Sequence, residues 1–231
     1  MKKANLLTLA VASAVLSTSV SATTLMVRQE YLPKAEQFNP NNTNATLVKL
    51  SGSTGKTFMG LQAVHKGEKL DRYALSSTEA QLGYRYDLND TIRLTPQLQA
   101  TATGSGIGWK PMFAMTYKLG AGFSTTLLYK HEFFVRQEDN SNGSTTEKSQ
   151  YQASINYADG PLRLGVKYDY HKGLDGQRYY NGKEFKQELE FSTYYRVARG
   201  LTPFVNLAAV PVHWKSDEYQ LRTRVGVLYS F

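Results

Sequence analysis

The chain has 231 residues, a formal charge of +8, no cysteine and a polar mean hydropathy of −0.43. Disulfides and thiolate metal sites are excluded, and past the first residues no apolar run reaches the ~20 residues of a membrane helix. Sixteen tyrosines without long apolar runs point to sheet.

Residues 1–22 are expected to form a cleaved signal peptide. Lys2 and Lys3 precede an apolar stretch from Leu6 to Val20, and Val20-Ser21-Ala22 supplies a small-residue cleavage pattern. Their removal leaves a charge of +6 and 209 residues, enough for one sizeable domain or two small ones. Residues 23–231 are expected to form a single domain.

From Thr24 onward the dominant signal is a period of two, the spacing that sends successive side chains to opposite faces of a strand. Weaker segments come first: Thr24 to Leu32, Thr46 to Ser51 and Lys56 to His65. In Thr78 to Leu88, one face carries Thr78, Ala80, Leu82, Tyr84, Tyr86 and Leu88, and the other Glu79, Gln81, Gly83, Arg85 and Asp87. Ile92 to Ala100 and Trp109 to Lys118 repeat the pattern; Phe123 to Arg136 and Ser149 to Ala158 carry it more weakly. Leu162 to His171 and Phe185 to Val197 restore it, Pro203 to Val212 is weaker, and Tyr219 to Phe231 closes the set of twelve. Within these segments, the apolar face carries no Lys, Arg, Asp or Glu. Pro96 and Pro203 fall inside strands, so bulges or rim positions are expected there, since a closed sheet has no free edge for a missing N–H.

Alternation alone also fits a soluble sandwich. The connections decide. Short turns at Gly52–Gly55, Leu88–Asp90, Gly120–Gly122, Asp159–Pro161 and Arg199–Leu201 alternate with mostly longer polar segments at Lys34–Asn44, Gly67–Ser77, Gln137–Glu147 and Gly173–Lys183. That beat is the signature of an all-β, up-and-down antiparallel transmembrane barrel. Aromatics such as Tyr31, Trp109, Tyr129, Tyr157, Tyr195 and Phe231 lie near strand ends, as interfacial girdles require. An even strand number puts both termini on the periplasmic side of a bacterial outer membrane.

The same registers turn fourteen cations inward: Arg28, Lys49, Arg85, Arg93, Lys110, Lys118, Lys130, Arg136, Arg163, Lys167, Lys186, Arg196, Arg222 and Arg224. Nine acids join them: Glu30, Glu79, Asp87, Glu132, Asp169, Glu184, Glu188, Glu190 and Glu218. The excess of cations predicts a lumen that enriches anions, with arginine forks suited to carboxylates. Self-pairing of these charges is the competing reading for any one residue.

Catalysis finds no support. His65, His131, His171 and His213 are scattered, no serine occupies a nucleophile elbow, and the pair Asp169/His171 lacks a third partner. No metal-ligand spacing occurs, no cofactor is implied, and no motif accompanies the basic charge to suggest nucleic acid. Asn44-Ala45-Thr46 would be a glycosylation acceptor only in a eukaryotic secretory route.

The final segment, Ser216 to Phe231, resembles the C-terminal strand of the oligogalacturonate-specific porin family (KdgM type), which includes a sialic-acid channel. Val48-Lys49-Leu50-Ser51, Trp109-Lys110-Pro111 and Tyr168 to Gly173 also match, in order along the chain. The resemblance implies a twelve-stranded monomer passing acidic oligosaccharides, with Lys49, Lys110, Arg136 and Arg224 among its lumen cations. Ala114 and Thr116 depart from the basic character expected near Lys110. The saccharide-binding candidates are therefore Lys49, Arg85, Arg93, Lys110, Lys130, Arg136, Arg163, Lys167, Arg196, Arg222 and Arg224. The alternatives are a filled barrel acting as a structural anchor or adhesin, and an outer-membrane hydrolase.

Overall fold

The protein is described by a computed structural model covering residues 22–37, 42–68, 73–137, 144–179, 182–213 and 215–231. The expected signal peptide lies outside the described residues except for Ala22, which opens the first strand.

Twelve antiparallel strands form one closed sheet. They are β1 (Ala22–Tyr31), β2 (Asn44–Thr54), β3 (Thr57–Gly67), β4 (Ala74–Tyr84, resuming at Tyr86–Asp87), β5 (Ile92–Thr103) and β6 (Gly106–Gly120). They continue as β7 (Phe123–Arg136), β8 (Thr145–Asp159), β9 (Leu162–Gly173), β10 (Phe185–Tyr195), β11 (Leu201–Pro211) and β12 (Tyr219–Ser230). Each strand pairs with its sequence neighbour, and β1 closes the ring on β12 through eight residue pairs from Thr24↔Ser230 to Tyr31↔Thr223. Closure leaves no edge, which is what a sheet needs where no water can satisfy its backbone.

Solvent exposure shows that the barrel is inside out. Ile155 (57 %), Leu221 (53 %) and Leu189 (52 %) stand on the outer surface, whereas Glu188, Glu190 and Asp169 are buried on the inner one. A soluble sandwich would reverse this order. The five turns joining β2–β3, β4–β5, β6–β7, β8–β9 and β10–β11 gather at one end, the turn end, with Ala22 and Phe231. The opposite rim is the loop end. Gly200 shows how tightly the turn end is built. Its φ of 78° and the 2.4 Å that would separate an added Cβ from the Ser230 carbonyl oxygen admit only glycine.

The prolines are accommodated differently from expectation. Neither Pro96 (opposite Phe113) nor Pro203 (opposite Val227) causes a register shift. Pairing of β4 with β5 instead lapses between Gly83↔Gln97 and Tyr86↔Leu94, where Pro96 has no N–H to give. Arg85 keeps its place by donating its backbone N–H to the Lys56 carbonyl at 2.9 Å. The β6–β7 ladder has the same gap at Pro111, between Trp109↔Phe133 and Met112↔Lys130. The two bulges lie elsewhere, at Val64/His65 and Lys118/Gly120.

Strands also run further than the sequence pattern suggested. β8 starts at Thr145 and β9 ends at Gly173, so the outward faces gain Glu147, Asp159 and Lys172, which the shorter segments excluded. Glu184 and Glu218, expected to point inward from strands, instead precede β10 and β12 as exposed residues. Glu218 caps the loop end by pairing with Lys34 at 2.6 Å.

Candidate functional site

The lumen is built by the inward positions of every strand, and its charges fall into two different walls. Along β9 to β12 and β1 they interlock. Arg222 directs one guanidinium nitrogen at Glu188 (3.1 Å) and the other at Glu190 (3.0 Å). Arg224 reaches Glu190 at 2.9 Å and Glu30 at 2.5 Å. Lys167 bridges Asp169 (3.2 Å) and Glu190 (3.1 Å), and Lys186 holds Glu188 at 2.5 Å. Arg28 adds a long contact of 3.9 Å to Glu30.

The sequence of β11 makes this lattice possible. Its inward side chains are Thr202, Phe204, Asn206, Ala208 and Val210, none of them charged. Ala208 sits directly between Arg222 on β12 and Glu190 on β10, and is only 2 % exposed beneath their bridge. A larger residue would stand where the guanidinium crosses. Buried ion pairs of this kind are costly to strip of one partner, because the other is left uncompensated.

The wall from β2 to β4, together with β7, is different. Lys49 lies across β3 at Gly60, where an added Cβ would come within 3.1 Å of its Cε, and donates to the amide oxygen of Gln81 (3.1 Å). Gln81 in turn donates to Gln97 at 2.6 Å. Arg85 stacks on Phe58, its guanidinium carbon 4.9 Å from the ring centroid. Lys130 and Lys66 have no carboxylate partner among the described residues.

At the loop end the lumen opens on a cavity of about 410 Å³, whose lining includes Lys66, Lys110, Arg136, Lys148, Glu132 and Gln177. Glu132 is the one acid, held by Lys148 (3.0 Å) and more loosely by Lys110 (3.8 Å). Gly108 leaves the room for it, since a Cβ there would lie 3.0 Å from Oε1. The segment after β9 bends over this mouth. The Tyr179 hydroxyl donates to Gln177 at 3.0 Å, and burial, reinforced by Glu132, pushes the phenol up to about 12, so it stays neutral.

The sequence candidates thus separate. Arg222, Arg224 and Lys167 belong to the interlocked wall. Lys49, Arg85 and Lys130 keep carboxylate-free donors, and Lys110 and Arg136 line the cavity. Arg93 is drawn to Asp87 at 2.6 Å near the turn end, with Lys56 at 3.8 Å. Arg163 and Arg196 are exposed at the turn-end mouth, Arg196 just past the end of β10. Lys118 and Lys186, also expected inside, occupy inward positions. Lys66 and Lys148 were missed because the expected strands stopped at His65 and started at Ser149. Extending the alternation would have turned both inward. Among the described residues, no cluster of His, Asp and Glu could hold a metal ion.

A closed antiparallel barrel with an apolar exterior and a charged lumen open to a basic cavity defines the bacterial outer-membrane porins. More narrowly, residues 16–231 match the family model described as oligogalacturonate-specific porin protein (KdgM), and the chain belongs to that family. It is 29 % identical over 130 residues to the uncharacterized protein YiiY of Salmonella typhimurium strain LT2, a match covering 56 % of each chain. The match thus spans about half the length of that curated relative. The fold is similar to the NanC porin (TM-score 0.72, 16 % identity, covering 89 % of this chain and 98 % of that one). A KdgM porin in complex with disordered oligogalacturonate is also similar (TM-score 0.66, 15 % identity, covering 90 % and 99 %).

Proposed function

We propose that the protein is a passive channel through which acidic oligosaccharides of uronate or sialic type cross the outer membrane. In this reading the signal peptide is removed, the barrel works as a monomer, and both termini face the periplasm, which puts the basic cavity on the outside. No catalytic step is involved; the solute gradient drives flux.

The observation that carries the reading is the cavity, with Lys66, Lys110, Arg136 and Lys148 against the single acid Glu132. A polyanion entering there meets more positive than negative charge, then Lys130, Lys49 and Arg85 along the less committed wall. Several moderate sites in series allow release as well as capture, which throughput requires. The family model and the oligogalacturonate complex of a similar barrel support the substrate class. The filled-barrel alternative has no observation in its favour.

Liposome swelling with size-matched neutral and acidic oligosaccharides tests this. The acidic series is expected to enter faster at low salt, with the advantage shrinking as salt screens the lumen. Equal rates for both series at low salt would overturn the substrate assignment.

A further inference from the structure

The outer surface carries a polar patch that the channel does not use. Outside the histidines, the acidic and basic side chains on outward strand faces are Glu147, Asp159 and Lys172 among the described residues. Asp159 ends β8 at the turn end, where charge is cheap. Glu147 and Lys172 instead lie near the loop end of β8 and β9, with Glu147 beside His131. Cross-strand pairing sets Phe185, Lys172, Ser149 and His131 in one row, through Lys172↔Phe185, Lys172↔Ser149 and His131↔Ser149.

The row is bound together. The His131 ring meets Glu147 through Nε2 (3.1 Å) and the Tyr129 hydroxyl through Nδ1 (3.1 Å), and that hydroxyl lies 3.3 Å from the Ser149 Oγ. Beneath it an aromatic ribbon runs from Tyr129 to Tyr151, Tyr170 and Phe185, with ring centroids 5.2, 6.3 and 5.8 Å apart. Such a ribbon marks the level where hydrocarbon gives way to head groups. Lys172 stands exposed just above it with no ion pair among the described residues, and Lys183 lies 5.4 Å from the centroid of Phe185.

A serine–histidine–glutamate contact suggests hydrolysis, but Ser149 is 4 % exposed and the strand N–H groups are engaged in ladder bonds, which leaves no oxyanion donor. Charge complementarity favours binding. The nearest outward acid, Glu147, turns its carboxylate to His131 at 3.1 Å, and among the described residues no carboxylate forms an ion pair with Lys172.

We propose that the loop-end outer surface of β8–β10 holds the anionic, phosphate-bearing head group of a membrane lipid, with Lys172 contacting the phosphate and Tyr129, Tyr151 and Tyr170 lying along the acyl boundary. The proposal rests on the membrane-spanning reading above and, for the leaflet, on its orientation.

The test is native mass spectrometry of the full barrel in detergent, titrated in turn with bisphosphorylated lipid A, phosphatidylglycerol and phosphatidylethanolamine, with inorganic phosphate as competitor. One anionic lipid per barrel is expected to be retained over phosphatidylethanolamine, whose phosphate is balanced by its own ammonium. Lys172→Gln should weaken retention about fivefold, the worth of one lysine at an anionic surface, and Lys172→Arg should restore it. Equal retention of the zwitterionic lipid, or no loss in Lys172→Gln, overturns the proposal. Displacement by millimolar inorganic phosphate overturns the lipid assignment. Ion selectivity of the same variants, recorded in parallel, is expected to stay at the wild-type value. A wild type without anion selectivity would indict the channel reading instead.

Discussion

Arg222 and Glu190 are joined at 3.0 Å across an intervening strand, over the side chain of Ala208. The contact spans two strand spacings rather than one, so it depends on the residue beneath it as much as on its partners. Replacing Ala208 with Leu should push the guanidinium off the carboxylate and cost about 1–3 kcal/mol, the usual penalty for overpacking. Denaturant titration of vesicle-inserted protein reads the loss.

Cations on the two walls should answer differently to neutralisation. Lys130→Gln is expected to weaken block by an acidic oligosaccharide several-fold with little change in stability. Arg222→Gln strips Glu188 and Glu190 of a shared partner and should destabilise by roughly 2 kcal/mol, screened below the dry-interior range by lumen water. Paired current recordings and denaturant curves separate these outcomes; identical behaviour of both variants would erase the distinction between the walls.

Glu132 is the single acid lining the loop-end cavity. Glu132→Gln releases Lys110 and Lys148, so block by oligogalacturonate from the loop side should strengthen about three- to tenfold, as expected for freeing one to two charge-assisted contacts in a wet site. Unchanged block would remove the cavity from the binding path.

The inside-out arrangement predicts a sharp contrast between neighbours. Met115 faces outward and Thr116 inward on β6. Met115→Arg should cost about 2–4 kcal/mol if it lies near the bilayer midplane, whereas Thr116→Arg should fold nearly as well as wild type. Folding yields into vesicles at graded urea compare the two directly.

Much of this molecule is legible in the sequence because lipid outside and ions inside impose a strict period of two on each strand. Thr78 to Leu88 and Tyr219 to Phe231 display it so plainly that the face of each side chain follows, and the beat of short turns and longer polar segments supplies the barrel topology. Strand ends are less legible. Lys66, Glu147, Lys148 and Lys172 lie where strands leave the hydrocarbon and no longer need an apolar face, so the alternation gives way just where the cavity and outer patch begin. Pairing is not legible at all. Nothing in Arg222 or Arg224 reveals that Glu188, Glu190 and Glu30 already claim them, since those contacts depend on small residues of β11.

The sign of the lumen's field is the most direct test. Under a tenfold KCl gradient across a planar bilayer, the reversal potential of wild type should indicate chloride preference, and added oligogalacturonate should reduce the current. A potassium preference unaffected by the saccharide would contradict the account at its root.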